Sequence, residues 1–355
     1  LLHALYRWSV VGAACVAILF LLLTGATQGF ALIEGTDRFA YRAGQGWFFG
    51  IVMTFKPILA GLMGFVRYRL PSGRAMRCTM PLLYCALFAA SALFGEKFLS
   101  LLVMTGFYFM PLLALSHGLP RRRGLALGVV AASGLIVCGL TYHVYSDYGA
   151  LDPERTAQRL AGRFTGQGQL WYAVMHAGPH LLHVDRAEAG RMGAAMIARD
   201  ADDAAFTSRA GIFHMVMLYA PETVRASILQ NAGRVQFTGA TEAYLARVLG
   251  HLPMLGMIML LGCIGGVVAH YVQDALLAGS LPGYFFALFI LSNFTSMMNQ
   301  ASFWQIFGAR ALIYIALMLM ADMVFRTLLA GGEHRVAGRR ARAGDQEYPV
   351  LQETR

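Results

Sequence analysis

Trp8–Leu32 reads WSVVGAACVAILFLLLTGATQGFAL and contains no charged residue. Coiled as a helix at about 1.5 Å per residue, such a stretch outreaches the roughly 30 Å hydrocarbon core of a bilayer. A cleaved leader has an apolar core of only about 7–15 residues, so this stretch reads as a true span. Working outward, seven more stretches follow: Trp47–Val66, Thr79–Phe94, Phe98–Leu115, Gly124–Tyr142, Leu252–Tyr271, Leu281–Met298 and Phe303–Val324. Thr79–Phe94 is short, and Gly95-Glu96-Lys97 reads as a tight hairpin into the next. The chain begins at Leu1 rather than Met, so eight spans is a minimum. The predicted fold class is an all-α polytopic membrane protein with at least eight transmembrane helices.

Composition points the same way. Of 355 residues, 57% are hydrophobic and 14% charged, against about 25% charged in a soluble domain. The mean hydropathy is +0.54. A soluble globule, a disordered chain and a disulfide-stapled scaffold are excluded. The net charge of +10 comes from 29 basic and 19 acidic residues, and only Lys56 and Lys97 are lysines. Such a charge could suit nucleic acid. The excess of basic residues in cytoplasmic loops explains it without any nucleic-acid partner.

If the eight stretches alternate, Arg7, Arg67, Arg69, Arg74, Arg77, Arg121, Arg122, Arg123 and the tail arginines fall on one side, 14 in all. The short loops opposite carry three, Arg38, Arg42 and Lys97. Both ends of this chain are therefore expected in the cytoplasm. Val272–Ser280 has no basic residue and carries Asp274, a mild misfit.

Four regions result: transmembrane helices in 1–142, a loop region in 143–251, further spans in 252–325 and a tail in 326–355. The loop region falls outside, with ten arginines against ten carboxylates. It contains none of the five cysteines (Cys15, Cys78, Cys85, Cys138, Cys263), so it folds without disulfides. Asp185–Phe206 has helical spacing and Ala220-Pro221-Glu222 reads as a helix start, so the loop is expected to be mostly helical. The Gly-, Arg- and Glu-rich tail is expected to be unstructured.

Several groups carry chemical potential. Arg163–Trp171 reads RFTGQGQLW: two glycines that permit close backbone approach, two amides, Gln167 and Gln169, and a Trp171 face. Amides suit sugar hydroxyls and an indole suits sugar C–H groups; a polar turn entering a helix is the bland alternative. Arg155, Arg159 and Arg163 recur at i, i+4 and form one basic face, fit for phosphate oxygens or for solvent near lipid head groups. Arg191, Arg209 and Arg234 are further candidates. His176, His180 and His183 have zinc-like helical spacing, but Gly178-Pro179 interrupts the helix and no HExxH pattern is present, so no metal is assigned. Asp200-Ala201-Asp202-Asp203 reads as a solvated face.

Within the bilayer, Lys56 lies in mid-span beside Pro57, where burial costs about 2.5–3.5 kcal/mol on insertion scales. It calls for a cavity or a partner. Arg310 is nearer the outer end of its span. Asn293, Asn299, Gln300 and Gln305 surround Phe294, Phe303 and Trp304 on the side of the long loop, where an amphiphilic sugar would find polar contacts.

One large outer loop late in a multi-span chain resembles the Wzy-type O-antigen polymerases. Arg163–Trp171 and Gly233-Arg234-Val235-Gln236-Phe237-Thr238-Gly239 resemble segments of oligosaccharide repeat-unit polymerases. Arg155 and Gly166 match the arginine–glycine spacing described for that family. The family usually has more spans and two long outer loops. The resemblance implies a GT-C-like architecture in the bacterial inner membrane, with the long loop in the periplasm. The activity it implies is polymerisation of undecaprenyl-pyrophosphate-linked oligosaccharide repeat units, with no cofactor and with a chain-length regulator protein as a possible partner. It makes Arg163 and Arg234 pyrophosphate contacts, backed by Arg191, Arg209 and Arg310. His176 or Glu242 would be the base, and Gln167, Gln169 and Trp171 would position sugar.

Other readings stay open. O-antigen ligases share the architecture and differ in acceptor. A transporter or flippase would line its path with Lys56-Pro57 and the polar end of the seventh span, although no internal repeat is seen. A membrane metal hydrolase would use the histidine face, and a signalling protein would use the tail.

Overall fold

The structure is a computed structural model and describes residues 2–34, 41, 44–96, 98–115, 124, 127–136, 138–139, 169–176, 187, 190, 194, 211–219 and 240–344. Every regular element among them is helical. In chain order these are α1 (Leu2–Gln28), α2 (Trp47–Tyr68), α3 (Arg74–Leu93), α4 (Phe98–Leu115) and α5 (Leu127–Ile136). Then come α6 (Gln169–His176), α7 (Gly211–Tyr219), α8 (Ala240–Leu249), α9 (His251–Ala278), α10 (Leu281–Gln300), α11 (Trp304–Phe307) and α12 (Ala309–Gly344).

Five helices, α1, α2, α3, α9 and α10, are long and apolar enough to cross a membrane. The apolar stretches in α4 (Ser100–Leu115) and α5 are shorter. The surface supports a membrane setting. Leu252, Met259 and Val267 on α9 are exposed by 82%, 73% and 70%, and α12 turns Leu312, Ile313, Leu317, Met320 and Met323 outward. A water-soluble monomer rarely leaves apolar side chains exposed in such continuous stripes. Lipid accepts them.

α2 is the central helix. Ala60, Gly61, Met63, Gly64, Phe65 and Val66 are all buried, so its second half is enclosed on every side. Its closest neighbour is α4. A Cβ on Gly64 would collide with the backbone carbonyl of Tyr108, so the two backbones meet where only glycine fits. Around this pair α1, α3, α9 and α10 complete one core, with Leu21, Leu87, Leu101, Ala275 and Leu288 inside it.

Hydrogen bonds between elements reveal which helix ends share a side. Arg7 donates to the Pro71 carbonyl at 3.0 Å. Arg69 donates from Nε to the Leu276 carbonyl at 2.7 Å and from Nη2 to Leu277 at 2.6 Å, closing the C-terminus of α9. At the other end the Leu32 N–H bonds the Leu93 carbonyl at 2.9 Å. The basic residues Arg7, Arg67, Arg69, Arg74 and Arg77 thus belong to the end where α2 and α9 finish.

Three local outcomes differ from or refine the sequence reading. The Gly95 hairpin is present: Gly95 takes φ 73° and Glu96 N–H bonds back to Ser91. The eighth stretch, Phe303–Val324, is not one helix. It forms the short α11, passes through Gly308 in extended backbone, and restarts at Ala309. A Cβ at Gly308 would strike the Trp304 carbonyl, so glycine is what permits the break. Finally, α12 continues to Gly344, past the boundary at 326 where an unstructured tail was expected. Extension of an existing helix needs no new nucleus, and Leu, Ala, Arg and Glu are strong helix formers.

Candidate functional site

The long segment between the fifth and sixth stretches supplies three short helices, α6, α7 and α8, which pack on one another and on the ends of α9, α10 and α11. Their shared core is Val174, Met215, Ala243, Tyr244, Leu245, Met254, Leu261, Met297, Phe303 and Ile306, with Trp171 packed against it. Gly250, at φ 82°, separates α8 from α9. Because the cap meets the start of α9 while Arg69 closes its far end, cap and basic end lie at opposite ends of that helix.

Thr241 docks the cap. Its Oγ1 donates to the Met297 carbonyl at 3.0 Å and accepts from the Ala301 N–H at 3.1 Å. Ala301 has φ 52°, the left-handed turn that ends α10. The hydroxyl therefore satisfies one carbonyl and one N–H that the helix terminus would leave open. The docking point is the amide-aromatic end of α10 and α11: Asn299 is half-buried, Phe303 buried and Trp304 half-buried.

Inside the cap, polar groups are unusually deep. His214 on α7 is buried, and its ring lies 6.1 Å from that of Tyr244 in an edge-to-face arrangement. Tyr244 is in turn 6.2 Å from Phe303. Burial pushes the Tyr244 phenol above its ordinary range, so it stays a protonated donor. Arg247, one turn further along α8, is only 6% exposed. Among the described residues its Nε and Nη1 have no hydrogen-bond partner, and neither has the Gln305 Oε1.

Of the sequence-predicted residues, His176 closes α6 in an exposed position. Its ring stacks on Tyr172 at 3.8 Å, and Nδ1 lies 3.0 Å from the Tyr172 carbonyl. A carbonyl only accepts, so Nδ1 is the donor in this contact. Glu242 is half-buried in the first turn of α8, where the helix dipole favours a carboxylate. Trp171 is half-buried against the cap core. Arg310 is exposed in the first turn of α12. Gln169 and Gln300 are described by their backbone alone. Arg155, Arg159, Arg163, Gln167, Arg191, Arg209, Arg234, His180 and His183 lie outside the described residues, as do 200–203, 220–222 and 233–239; within Asp185–Phe206 only 187, 190 and 194 are described.

Lys56 makes its contact inside the helix bundle, with the hairpin between α3 and α4. Its Nζ sits 2.8 Å from Glu96 Oε1, and both side chains are almost wholly buried. A second deep carboxylate lies at the basic end. Asp322 on α12 accepts from Tyr271 Oη at 3.0 Å and from Ser280 Oγ at 3.4 Å, and the same Ser280 Oγ accepts from the Gly283 N–H to start α10.

Residues 205–315 match a family described as a family of unknown function (DUF6418). That stretch holds α7 through α11 and the first turns of α12, so it contains His214, Thr241, Tyr244, Arg247 and Gln305. No curated protein and no solved structure matches the chain.

Thr241, Tyr244, Arg247 and His214 were missed in the sequence. One signal was there: Arg247 interrupts the apolar run from Ala243 to Leu249. An arginine in such a run is either a boundary or a buried site.

Proposed function

We propose that the chain is a membrane glycosyltransferase that polymerises undecaprenyl-pyrophosphate-linked oligosaccharide repeat units, resembling the Wzy-type O-antigen polymerases. One observation carries this reading. The two segments that bear the resemblance, Arg163–Trp171 and Gly233–Gly239, lead into α6 and α8. These two helices pack together in one cap. The helices that follow the two segments thus share one cap, and Arg163 and Arg234 are each close in sequence to the start of one of them. The opposite end collects Arg7, Arg67, Arg69, Arg74 and Arg77, which argues for a cytoplasmic basic end and a periplasmic cap in a bacterial inner membrane.

In this reaction the acceptor hydroxyl attacks the anomeric carbon of the donor. The new glycosidic C–O bond forms as the C–O bond to the pyrophosphate breaks, and the pyrophosphate leaves with the electron pair. Arg163 and Arg234 neutralise its charge. The acceptor proton passes to His176 Nε2, or to the Glu242 carboxylate. The amides and Trp171 hold the sugar. The leaving group is already activated, so the transfer needs no nucleotide.

The test is deletion of the gene in its host, with surface glycan separated on a gel into lipid A-linked and carrier-linked material. A single repeat unit on lipid A with no ladder supports the polymerase. Long chains stranded on the carrier would make the protein a ligase, and an unchanged ladder would overturn both.

A further inference from the structure

We infer that Arg247 forms the cationic floor of a buried oxyanion site between the cap and the span ends, and that its occupant is a phosphoryl group. The reasoning begins with the guanidinium. Arginine cannot shed its proton inside a protein, and an uncompensated buried cation is strongly unfavourable. Arg247 is 94% buried and, among the described residues, nothing accepts from its Nε or Nη1. The arrangement is therefore completed by an anion brought from outside.

Its surroundings select the kind of anion. Tyr244, one turn away, adds a neutral hydroxyl held by burial in its protonated form. The neighbouring core is apolar, built from Met215, Met254, Leu261, Met297 and Phe303. A tetrahedral phosphoryl group offers several oxygens to several donors, whereas a carboxylate offers two in one plane. α8 also packs against α9 and α10, two helices long and apolar enough to cross a membrane, and the core it shares with them is apolar, a setting that suits a phosphoryl group carried on a hydrocarbon tail. Free pyrophosphate and a lipid diphosphate share this chemistry. The oxyanion site stands on the geometry of Arg247; naming a lipid diphosphate as occupant rests on the glycosyl-transfer reading.

The experiment titrates the full chain in detergent with farnesyl pyrophosphate and, separately, with inorganic pyrophosphate, by calorimetry. Arg247→Gln is expected to weaken binding of the occupant at least tenfold, and Arg247→Lys, which keeps the charge but loses the planar fork, several-fold. Farnesyl pyrophosphate bound far better than inorganic pyrophosphate identifies a lipid source; equal binding identifies a free anion; either supports the site. Equal affinity of wild type and Arg247→Gln for both probes overturns it, as does equal affinity of Arg247→Lys should the glutamine variant fail to fold. Arg247-dependent binding with an unchanged glycan ladder after gene deletion would leave this site standing and remove the polymerase reading. A lost ladder with Arg247-independent binding would do the reverse.

Discussion

Lys56 and Glu96 form an ion pair inside the helix bundle, Nζ to Oε1 at 2.8 Å, with 1% and 6% of their side chains exposed. Lys56 comes from the middle of α2 and Glu96 from the hairpin between α3 and α4. The pair therefore ties the hairpin to the central helix. Removing one member leaves a buried charge and typically costs about 3–5 kcal/mol. Lys56→Met should lower unfolding stability in detergent by that order, and Lys56→Met combined with Glu96→Gln should recover most of the loss. A single variant as mild as the double would show that the charges do not depend on each other.

The Gly64 contact makes a second expectation. Gly64→Ala places a methyl group against the Tyr108 carbonyl, and overpacking of this kind costs about 1–3 kcal/mol. Gly106 on α4 is the control, because a Cβ there meets nothing within 4 Å. Gly106→Ala should be neutral or stabilising by about 0.5–1 kcal/mol, since alanine is the better helix former. Thermal aggregation midpoints of the two variants would separate them, and equal losses would contradict the close approach of α2 and α4.

Arg69 closes α9 from a neighbouring helix. Arg69→Ala removes the guanidinium from the Leu276 and Leu277 carbonyls at the C-terminus of α9, leaving Leu276 only the bond from the Gly279 N–H at 3.2 Å. The loss should be about 1.5 kcal/mol, the low end for charged hydrogen bonds, because one of the two is exposed. Arg69→Lys should restore only part of it, lacking two donors in a fixed fork. Hydrogen exchange of the last turn of α9 is the direct measurement, and unchanged protection in Arg69→Ala would refute the capping role.

Orientation is open to chemical labelling. The five native cysteines are free and can be replaced to give a clean background. Thr27→Cys, at the exposed end of α1, should react with an impermeant maleimide on intact cells. Gly73→Cys, exposed before α3 at the basic end, should react only after permeabilisation. The opposite pattern would invert the chain and put the cap in the cytoplasm.

The Asp322 group predicts a specific rescue. Asp322→Ala removes the acceptor that the half-buried Tyr271 and the buried Ser280 hydroxyls share, and loss of the acceptor at buried Ser280 alone costs about 1–3 kcal/mol. Asp322→Asn keeps an acceptor oxygen and should retain more stability than the alanine variant. If asparagine is as damaging as alanine, the charge itself is what the site requires.

What the sequence determined by itself is the class and the membrane setting. A bilayer tests each residue of a span separately, so an uncharged run such as Trp8–Leu32 is legible without knowing any neighbour. The Gly95 hairpin was legible for the same reason, since its geometry is local. The sequence also marked Lys56 as needing a partner but could not supply one, because Glu96 belongs to another helix pair. Tertiary structure decided the rest. It set Glu96 against Lys56, broke the Phe303–Val324 run at Gly308, docked Thr241 on the end of α10 and buried Arg247 within the cap. Each of these depends on which helix faces meet, a property of packing between distant segments that periodicity along one segment does not carry.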